Sequence, residues 1–320
     1  MMFKSNKLIH ILVIFLVVSV TGCQNNPEEI SASGKYISYT VTAENDDKSL
    51  EMITFAYDLD DDSNIGVSKM EYNAQYPLTA YDKKNNKVYY SSRIDDADNL
   101  FELDLKTGGT KQLTDSLFAI NYIIPVDNEL YLVAVENGVR AMGLFKLVNN
   151  KLERILDDVD AFVWKVNYNP DLQTLVFNTY SQSELDKKME EPDDGTPRQG
   201  KNTIWTLNTA NNEFNKVATT KPGYITDISM DEEGNIYYCM GYFYQVKDNG
   251  ESQKNSEFND LGILSVIYNN NKYLYYISNE GTLNKYSKNE KQSTVIYKTS
   301  VKKSALNNAV ILSSFTNTNE

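Results

Sequence analysis

Short apolar and aromatic runs alternate along this chain with polar turns rich in Asn, Asp and Gly, and one phrase keeps returning: a turn, then a β-branched and aromatic strand. It stands at Lys35-Tyr36-Ile37-Ser38-Tyr39, Lys87-Val88-Tyr89-Tyr90-Ser91, Glu129-Leu130-Tyr131-Leu132-Val133, Thr174-Leu175-Val176-Phe177-Asn178, Asn235-Ile236-Tyr237-Tyr238-Cys239 and Lys272-Tyr273-Leu274-Tyr275-Tyr276. From Tyr39 through Tyr89, Tyr131, Phe177 and Tyr237 to Tyr275 the steps are 50, 42, 46, 60 and 38 residues, the long one holding an insertion. A second strand follows each copy, such as Leu100-Phe101-Glu102-Leu103-Asp104 or Thr203-Ile204-Trp205-Thr206-Leu207. Turns such as Lys106-Thr107-Gly108-Gly109 and Asp248-Asn249-Gly250 supply the positive-φ positions of tight hairpins. An apolar strand precedes each copy, as in Ala119-Ile120-Asn121-Tyr122-Ile123-Ile124, Ala161-Phe162-Val163-Trp164-Lys165-Val166 and Tyr224-Ile225-Thr226-Asp227-Ile228. A last strand such as Lys111-Gln112-Leu113 makes four.

Four antiparallel strands at this interval are a β-propeller blade, whose sheet is covered on both faces by its neighbours. The expectation is an all-β, six-bladed β-propeller over residues 35–316, with an insertion at 181–202. The first repeat has no inner strand ahead of Lys35, whereas Ala309-Val310-Ile311-Leu312-Ser313-Ser314-Phe315 is a strand without a blade. The C-terminal strand is therefore expected to complete blade one and close the ring, removing the open edges of a linear array. A solenoid or two sandwiches would use similar strands.

Lys+Arg number 31 against Asp+Glu 44, a formal charge of -13, which argues against nucleic acid and against adhesion to anionic lipid, since both need a basic surface. The two cysteines are Cys23 and Cys239, and the single histidine is His10. Lys4 and Lys7 precede an apolar run from Leu8 to Val20, about 13 residues against the roughly 20 that a permanent transmembrane helix needs. Residues 1–22 thus read as a signal peptide. Val20-Thr21-Gly22-Cys23 resembles the lipobox of bacterial lipoproteins, which implies lipidation of Cys23, cleavage before it, and a polar tether over 23–34. The expected location is a bacterial cell envelope, with the membrane engaged only through the N-terminal lipid. Cleavage would remove His10 and leave Cys239 as a lone, unacylated thiol without a disulfide partner.

Asn99-Leu100-Phe101-Glu102-Leu103-Asp104-Leu105-Lys106-Thr107-Gly108-Gly109-Thr110-Lys111-Gln112-Leu113-Thr114 resembles a repeat of the TolB-type six-bladed propellers, with their Asp-Leu-x-Thr-Gly turn and Leu-Thr ending. Tyr168-Asn169-Pro170-Asp171 is similar to their Ser-Pro-Asp-Gly turn. The resemblance implies the superfold more firmly than a shared function.

Without histidine in the mature domain, Ser-His-Asp and Cys-His catalysis and His-ligated metal centres are excluded, and no phosphate loop, dinucleotide fingerprint or Cys-x-x-Cys is present. Carboxylates remain. The run Asp58, Asp60, Asp61, Asp62 has Ser63 and Lys69 where an EF-hand loop needs Gly and Glu, and reads as a solvated turn. The propeller plan sends Asp95, Asp96 and Asp98, the insertion with Glu190, Glu191 and Asp193, and the interblade links with Asp115, Asp157, Asp158, Asp160 and Asp260 to one face, so acidity is expected to gather there. Tyr76, Phe118, Tyr224 and Phe258 are expected on the same face. Within the insertion, Leu185 and Met189 at i,i+4 spacing predict one helical turn before an irregular loop. The leading expectation is a non-catalytic module that binds an envelope protein or a glycan through this acidic, aromatic face without a cofactor. A second reading places a Ca2+ ion at the centre of a hydrolase or lactonase, and a third makes the chain an accessory or sensor subunit of an envelope complex.

Overall fold

The computed structural model describes residues 34–192, 195–298 and 304–313. Blade 1 contains β1 (Lys35–Glu44), β2 (Leu50–Asp58) and β3 (Asn64–Glu71). Blade 2 is β4 (Thr79–Asp82), β5 (Lys87–Ile94), β6 (Ala97–Asp104) and β7 (Thr110–Gln112). Blade 3 is β8 (Leu117–Val126), β9 (Glu129–Glu136), β10 (Gly143–Val148) and β11 (Lys151–Arg154). Blade 4 is β12 (Ala161–Asn169), β13 (Thr174–Ser181), β14 (Lys201–Asn208) and β15 (Phe214–Pro222), with helix α1 (Gln182–Glu190) between β13 and β14. Blade 5 is β16 (Asp227–Met230), β17 (Ile236–Cys239), β18 (Phe243–Val246) and β19 (Ser252–Lys254). Blade 6 is β20 (Ile263–Asn269), β21 (Tyr273–Ser278), β22 (Leu283–Ser287) and β23 (Gln292–Tyr297). The last strand, β24 (Ala305–Ser313), returns to blade 1, giving six antiparallel four-stranded sheets.

Closure follows the expected course. β24 runs antiparallel to β1 with Tyr36 opposite Leu312, Ile37 opposite Ile311 and Ser38 opposite Val310, so the last strand becomes the innermost of blade 1. Val310, Ile311 and Leu312 are buried, and each contributes on the order of 2 kcal/mol of apolar burial to holding the ring shut.

The core lies between blades. Leu130 to Ala134 in β9 are all buried, a continuous apolar strand because a neighbouring sheet covers each face. Leu78, Ala80 and Leu100 of blade 2 meet Ile120, Leu132 and Phe145 of blade 3 in one cluster. Tyr39 and Tyr57 of blade 1 meet Tyr268 and Tyr275 of blade 6 in another, with the Tyr57 and Tyr275 rings 6.2 Å apart. The repeated tyrosines are thus packing residues, as their place on two-sided strands implies. Polar stitches join blades 1 and 2 nearer the axis: Thr40 Oγ1 lies 2.8 Å from Thr79 Oγ1, and Tyr81 N donates to Ser38 Oγ at 2.8 Å. Outermost strands such as β7 and β19 are exposed and carry Lys111 and Lys254, which blunts their edges.

The insertion is more ordered than one turn. Ser181 caps α1 by accepting from Glu184 N at 3.1 Å, and Lys187 and Lys188 sit in its last turn, where the helix dipole favours cations. No helix among the described residues is long and apolar enough to cross a membrane.

Candidate functional site at the propeller mouth

Every inner strand starts from an interblade link, so the links and the loops between second and third strands share one end of the ring, here called the mouth. Hydrogen bonds between the two loop types confirm it. Ser183 N donates to Asp160 Oδ1 at 2.7 Å, Asn202 Nδ2 donates to Gly223 O at 2.8 Å, and Asn279 N donates to Gly262 O at 2.8 Å.

The acids placed here by sequence divide into two groups. Asp95 and Asp96 at the β5–β6 tip, Asp115, Asp157 and Asp158 in the links, Glu190 and Glu191 at the end of α1, and Asp260 are exposed. Asp98 is not a surface group: it is fully buried and accepts from Gln75 N at 2.9 and 2.7 Å and from Tyr76 N at 3.1 Å, holding the first interblade link against β6. Asp160 is turned inward, tying the β11–β12 link to Ser181 and Ser183, and these bonds lower its pKa, Ser181 contributing most. Asp193 and Cys23 lie outside the described residues.

Of the aromatics, Phe118 and Tyr224 are exposed, as is Tyr76, whereas Phe258 is buried edge-on against Phe243 and Tyr286. The expected one-sided gathering of acid does not hold either, because turns at the opposite end carry Asp60, Asp61, Asp62, Glu232, Glu233 and Asp248. What is one-sided is apolar exposure. Of the eleven large hydrophobic side chains exposed among the described residues, nine are at the mouth end: Leu50, Tyr76, Ile94, Phe118, Val159, Met189, Tyr224, Tyr242 and Leu264.

Backbone irregularity explains part of this. Strand pairing shifts at Phe118 in β8 and at Leu264 in β20, so each is an extra residue bulged from the start of an inner strand. Deeper bulges occur at Asn121, at Trp164-Lys165, at Ile267 and at Asn308-Ala309, in four of the six inner strands. A bulge re-aims side chains that alternation would have sent between blades. Tyr122, Trp164, Lys165 and Ser265 accordingly remain partly exposed although they lie on the innermost strands.

These residues surround a buried carboxyl. Asp227, first in β16, accepts from Val266 N at 2.8 Å and Ser265 Oγ at 3.0 Å, and burial pushes its pKa up to about 7 against the pull of those bonds and of Lys165. Burial also raises the Tyr122 phenol, while the Lys165 ammonium beside it acts in the opposite direction. Lys165 Nζ sits 5.1 Å from the Trp164 ring centroid and has no carboxylate within 4.0 Å among the described residues.

Beneath this layer the channel is bridged. Asn308 of blade 1 donates to Ile123 O of blade 3 at 3.2 Å and accepts from Ile123 N at 3.2 Å. Asn167 of blade 4 donates to Val266 O and Ile267 O of blade 6 at 3.1 and 3.0 Å, and its buried Oδ1 has no partner among the described residues. Asn308 also donates to Thr79 O of blade 2 at 2.9 Å, so these bonds tie non-adjacent inner strands together and floor the space that opens toward the mouth, here called the funnel. Sequence reading missed the funnel; its one signal is the misplaced lysine of Trp164-Lys165-Val166, a charge where an inner strand should alternate apolar and small.

Among the described residues no three His, Cys, Asp or Glu side chains come together as metal ligands, and one carboxyl beside an ammonium does not fit a central calcium ion. Cys239 is half-buried and its thiol is raised by burial, which leaves it unreactive. A separate cleft of about 360 Å³ between blades 6 and 1 is lined by Tyr57, Asp62, Tyr273, Lys285 and Glu290, but its cation is already engaged: Lys285 Nζ donates to Asp62 Oδ1 at 2.7 Å and lies over the Tyr273 ring.

No protein-family model matches the chain, and no curated protein matches it in sequence. Solved structures do match in shape. A chain of the nidogen/laminin complex superposes with a TM-score of 0.53 at 10% identity, over 88% of this chain and 99% of that one. TolB from Acinetobacter baumannii superposes with a TM-score of 0.50 at 16% identity, over 87% of this chain and 68% of that one. Both likenesses establish the six-bladed fold. At such identities they establish the fold alone.

Proposed function

We propose that the chain is a non-catalytic docking module of a bacterial cell envelope, held at the membrane by lipid on Cys23, that binds a partner protein across the propeller mouth. The observation that carries this reading is the concentration of exposed apolar side chains at the mouth end, nine of the eleven among the described residues, since apolar exposure gathered on one face marks interaction surfaces. Aliphatic Leu50, Ile94, Val159 and Leu264 among them favour a protein over a glycan, whose hydroxyl groups they would leave unsatisfied. The acidic groups around them add charge selectivity toward a basic partner. Neighbours of the same fold include a chain from a protein–protein complex, which is consistent with the reading.

Photo-crosslinking in intact cells tests it. A crosslinker at Phe118 or Leu264 should trap one specific protein that a crosslinker at Ile65, exposed at the opposite end, does not. Identical adducts from both ends, or none from the mouth, would count against docking there.

A further inference from the structure

Resting on that docking reading, we propose that the blind funnel receives the C-terminal carboxylate of the partner polypeptide, with Lys165 as its counter-ion.

Shape is the first argument. The Asn308 and Asn167 bridges close the channel from below, so whatever enters from the mouth must stop there. A chain end can do so, whereas a loop must turn round within the ring.

Charge is the second. In a chain of formal charge -13, the one cation among the innermost strands is Lys165, and it lacks a carboxylate within 4.0 Å among the described residues. The Tyr122 phenol stands beside it as a neutral donor, while the Ser265 hydroxyl is spent on Asp227. The neighbouring Asp227 offsets the lysine only in part at neutral pH, because burial raises its carboxyl to about 7. A terminal carboxylate would therefore meet an incompletely balanced cation with a phenol donor beside it, a charge-assisted way of capturing a chain end.

Grading along the funnel is the third argument. Above the lysine stands a collar of Phe118, Trp164, Tyr224 and Leu264, and outside it lie Asp115, Asp157 and Asp260. The sequence that fits is a free carboxylate, then apolar or aromatic residues at the last positions, then basic residues upstream.

The test uses the full chain in detergent and a synthetic decapeptide library with lysines at the first positions and the last four randomised, in free-acid and C-terminally amidated forms. Free-acid peptides ending in apolar residues should be retained, and amidation of an enriched sequence should weaken binding at least tenfold in a fluorescence anisotropy titration. Lys165→Met should abolish the preference for the acid and Lys165→Arg should keep it, with thermal unfolding of each variant confirming an intact ring. Amides that bind as well as acids would overturn terminus recognition while leaving docking in place. Retention of the preference in Lys165→Met would overturn the role of the lysine. No peptide binding, together with no crosslink from Phe118, would remove both readings. Lys165-dependent binding of an oligogalacturonate in place of any peptide would assign the funnel to glycan carboxylates and overturn the proposal.

Discussion

The two ends of the propeller are both acidic, yet they use their acids differently. At the far end, acids and asparagines are absorbed by turns. Asp82 accepts from Asn85 N, Asn169 from Asp171 N and Leu172 N, Asp231 from Glu233 N and Asn235 N, and Asn270 from Lys272 N and Tyr273 N, the same turn in four blades. Asp104 and Asn208 repeat the device in the hairpins farther out. At the mouth, Asp95, Asp96, Asp115, Asp157 and Asp260 have no hydrogen-bond or ion-pair partner among the described residues, and they stand among exposed apolar groups. Side chains at the far end satisfy backbone donors and build the ring. These five mouth carboxylates satisfy nothing among the described residues, whereas Asp98, Asp158 and Asp160 near them each hold a backbone donor. The presence of acids at an end therefore says little about where binding occurs; the state of each carboxylate's partners says more.

The largest test of this division falls on the deepest mouth carboxyl. An exposed aspartate titrates near 3.8, and Asp227 is held up to about 7, so between these values the folded state keeps a proton that the unfolded chain has lost. Its share of stability is complete below about pH 4 and is lost as pH rises through 7, a span of roughly 4 kcal/mol at about 1.4 kcal/mol per unit. Asp227→Asn removes the titration at little structural cost, since the amide oxygen can accept from Val266 N while the amide nitrogen donates to Ser265 Oγ. Relative to the parent chain, the variant should gain stability between pH 5 and about 8 in chemical denaturation, and the difference between the two curves should follow that span. Parallel curves would mean that Asp227 is ionised throughout and the funnel carries no net positive charge.

Next in size is the contrast between consumed and free acids. Asp231→Ala strips the acceptor from Glu233 N, Asn235 N and the Tyr237 hydroxyl in one turn, and should cost about 2–3 kcal/mol in unfolding free energy. Asp157→Ala should stay within about 0.5 kcal/mol. Asp98→Ala should break the simple rule of ends. It sits at the mouth but serves Gln75 N and Tyr76 N, so it should lose about 2 kcal/mol like a far-end residue.

That exception shows where sequence reading reaches its limit. The blades were legible because each repeats a turn and a two-sided apolar strand, and even the returning C-terminal strand could be inferred from an unpaired run. The start of α1 was also legible, in the Ser181-x-x-Glu184 capping pattern, but its nine residues exceed the one turn expected from Leu185 and Met189. Asp98 and Phe258 were placed at the right end, but their burial depends on how a link folds over them, which spacing does not encode. Lys165 and Tyr122 escaped for a sharper reason: a bulge advances the strand by a residue, so alternation read through it assigns side chains to the wrong side.

The apolar collar should separate binding from folding. Phe118→Ser and Leu264→Ser remove side chains that are 43% and 51% exposed, so each should change stability by less than about 1 kcal/mol. Together they should weaken capture of the crosslinked partner about tenfold or more, the loss expected when interface anchors are truncated. An equal loss from Ile65→Ser would erase the difference between the ends.

The smallest effect belongs to the exposed acids of the β11–β12 link, Asp157 without a partner among the described residues and Asp158 accepting only from Asp160 N at 2.9 Å. Asp157 and Asp158 are solvated and lie outside the collar, so their contribution to a bound complex is screened. Long-range attraction acts instead on encounter, and Asp157→Asn combined with Asp158→Asn should slow association with a basic partner a few-fold at low ionic strength while leaving dissociation unchanged. In about 1 M salt, where the screening length falls to ~3 Å, the variant and the parent should associate at the same rate. If the difference persists in salt, these acids make short-range contacts and belong to the docking surface itself; if it is absent at both ionic strengths, the mouth selects its partner by shape and apolar contact alone.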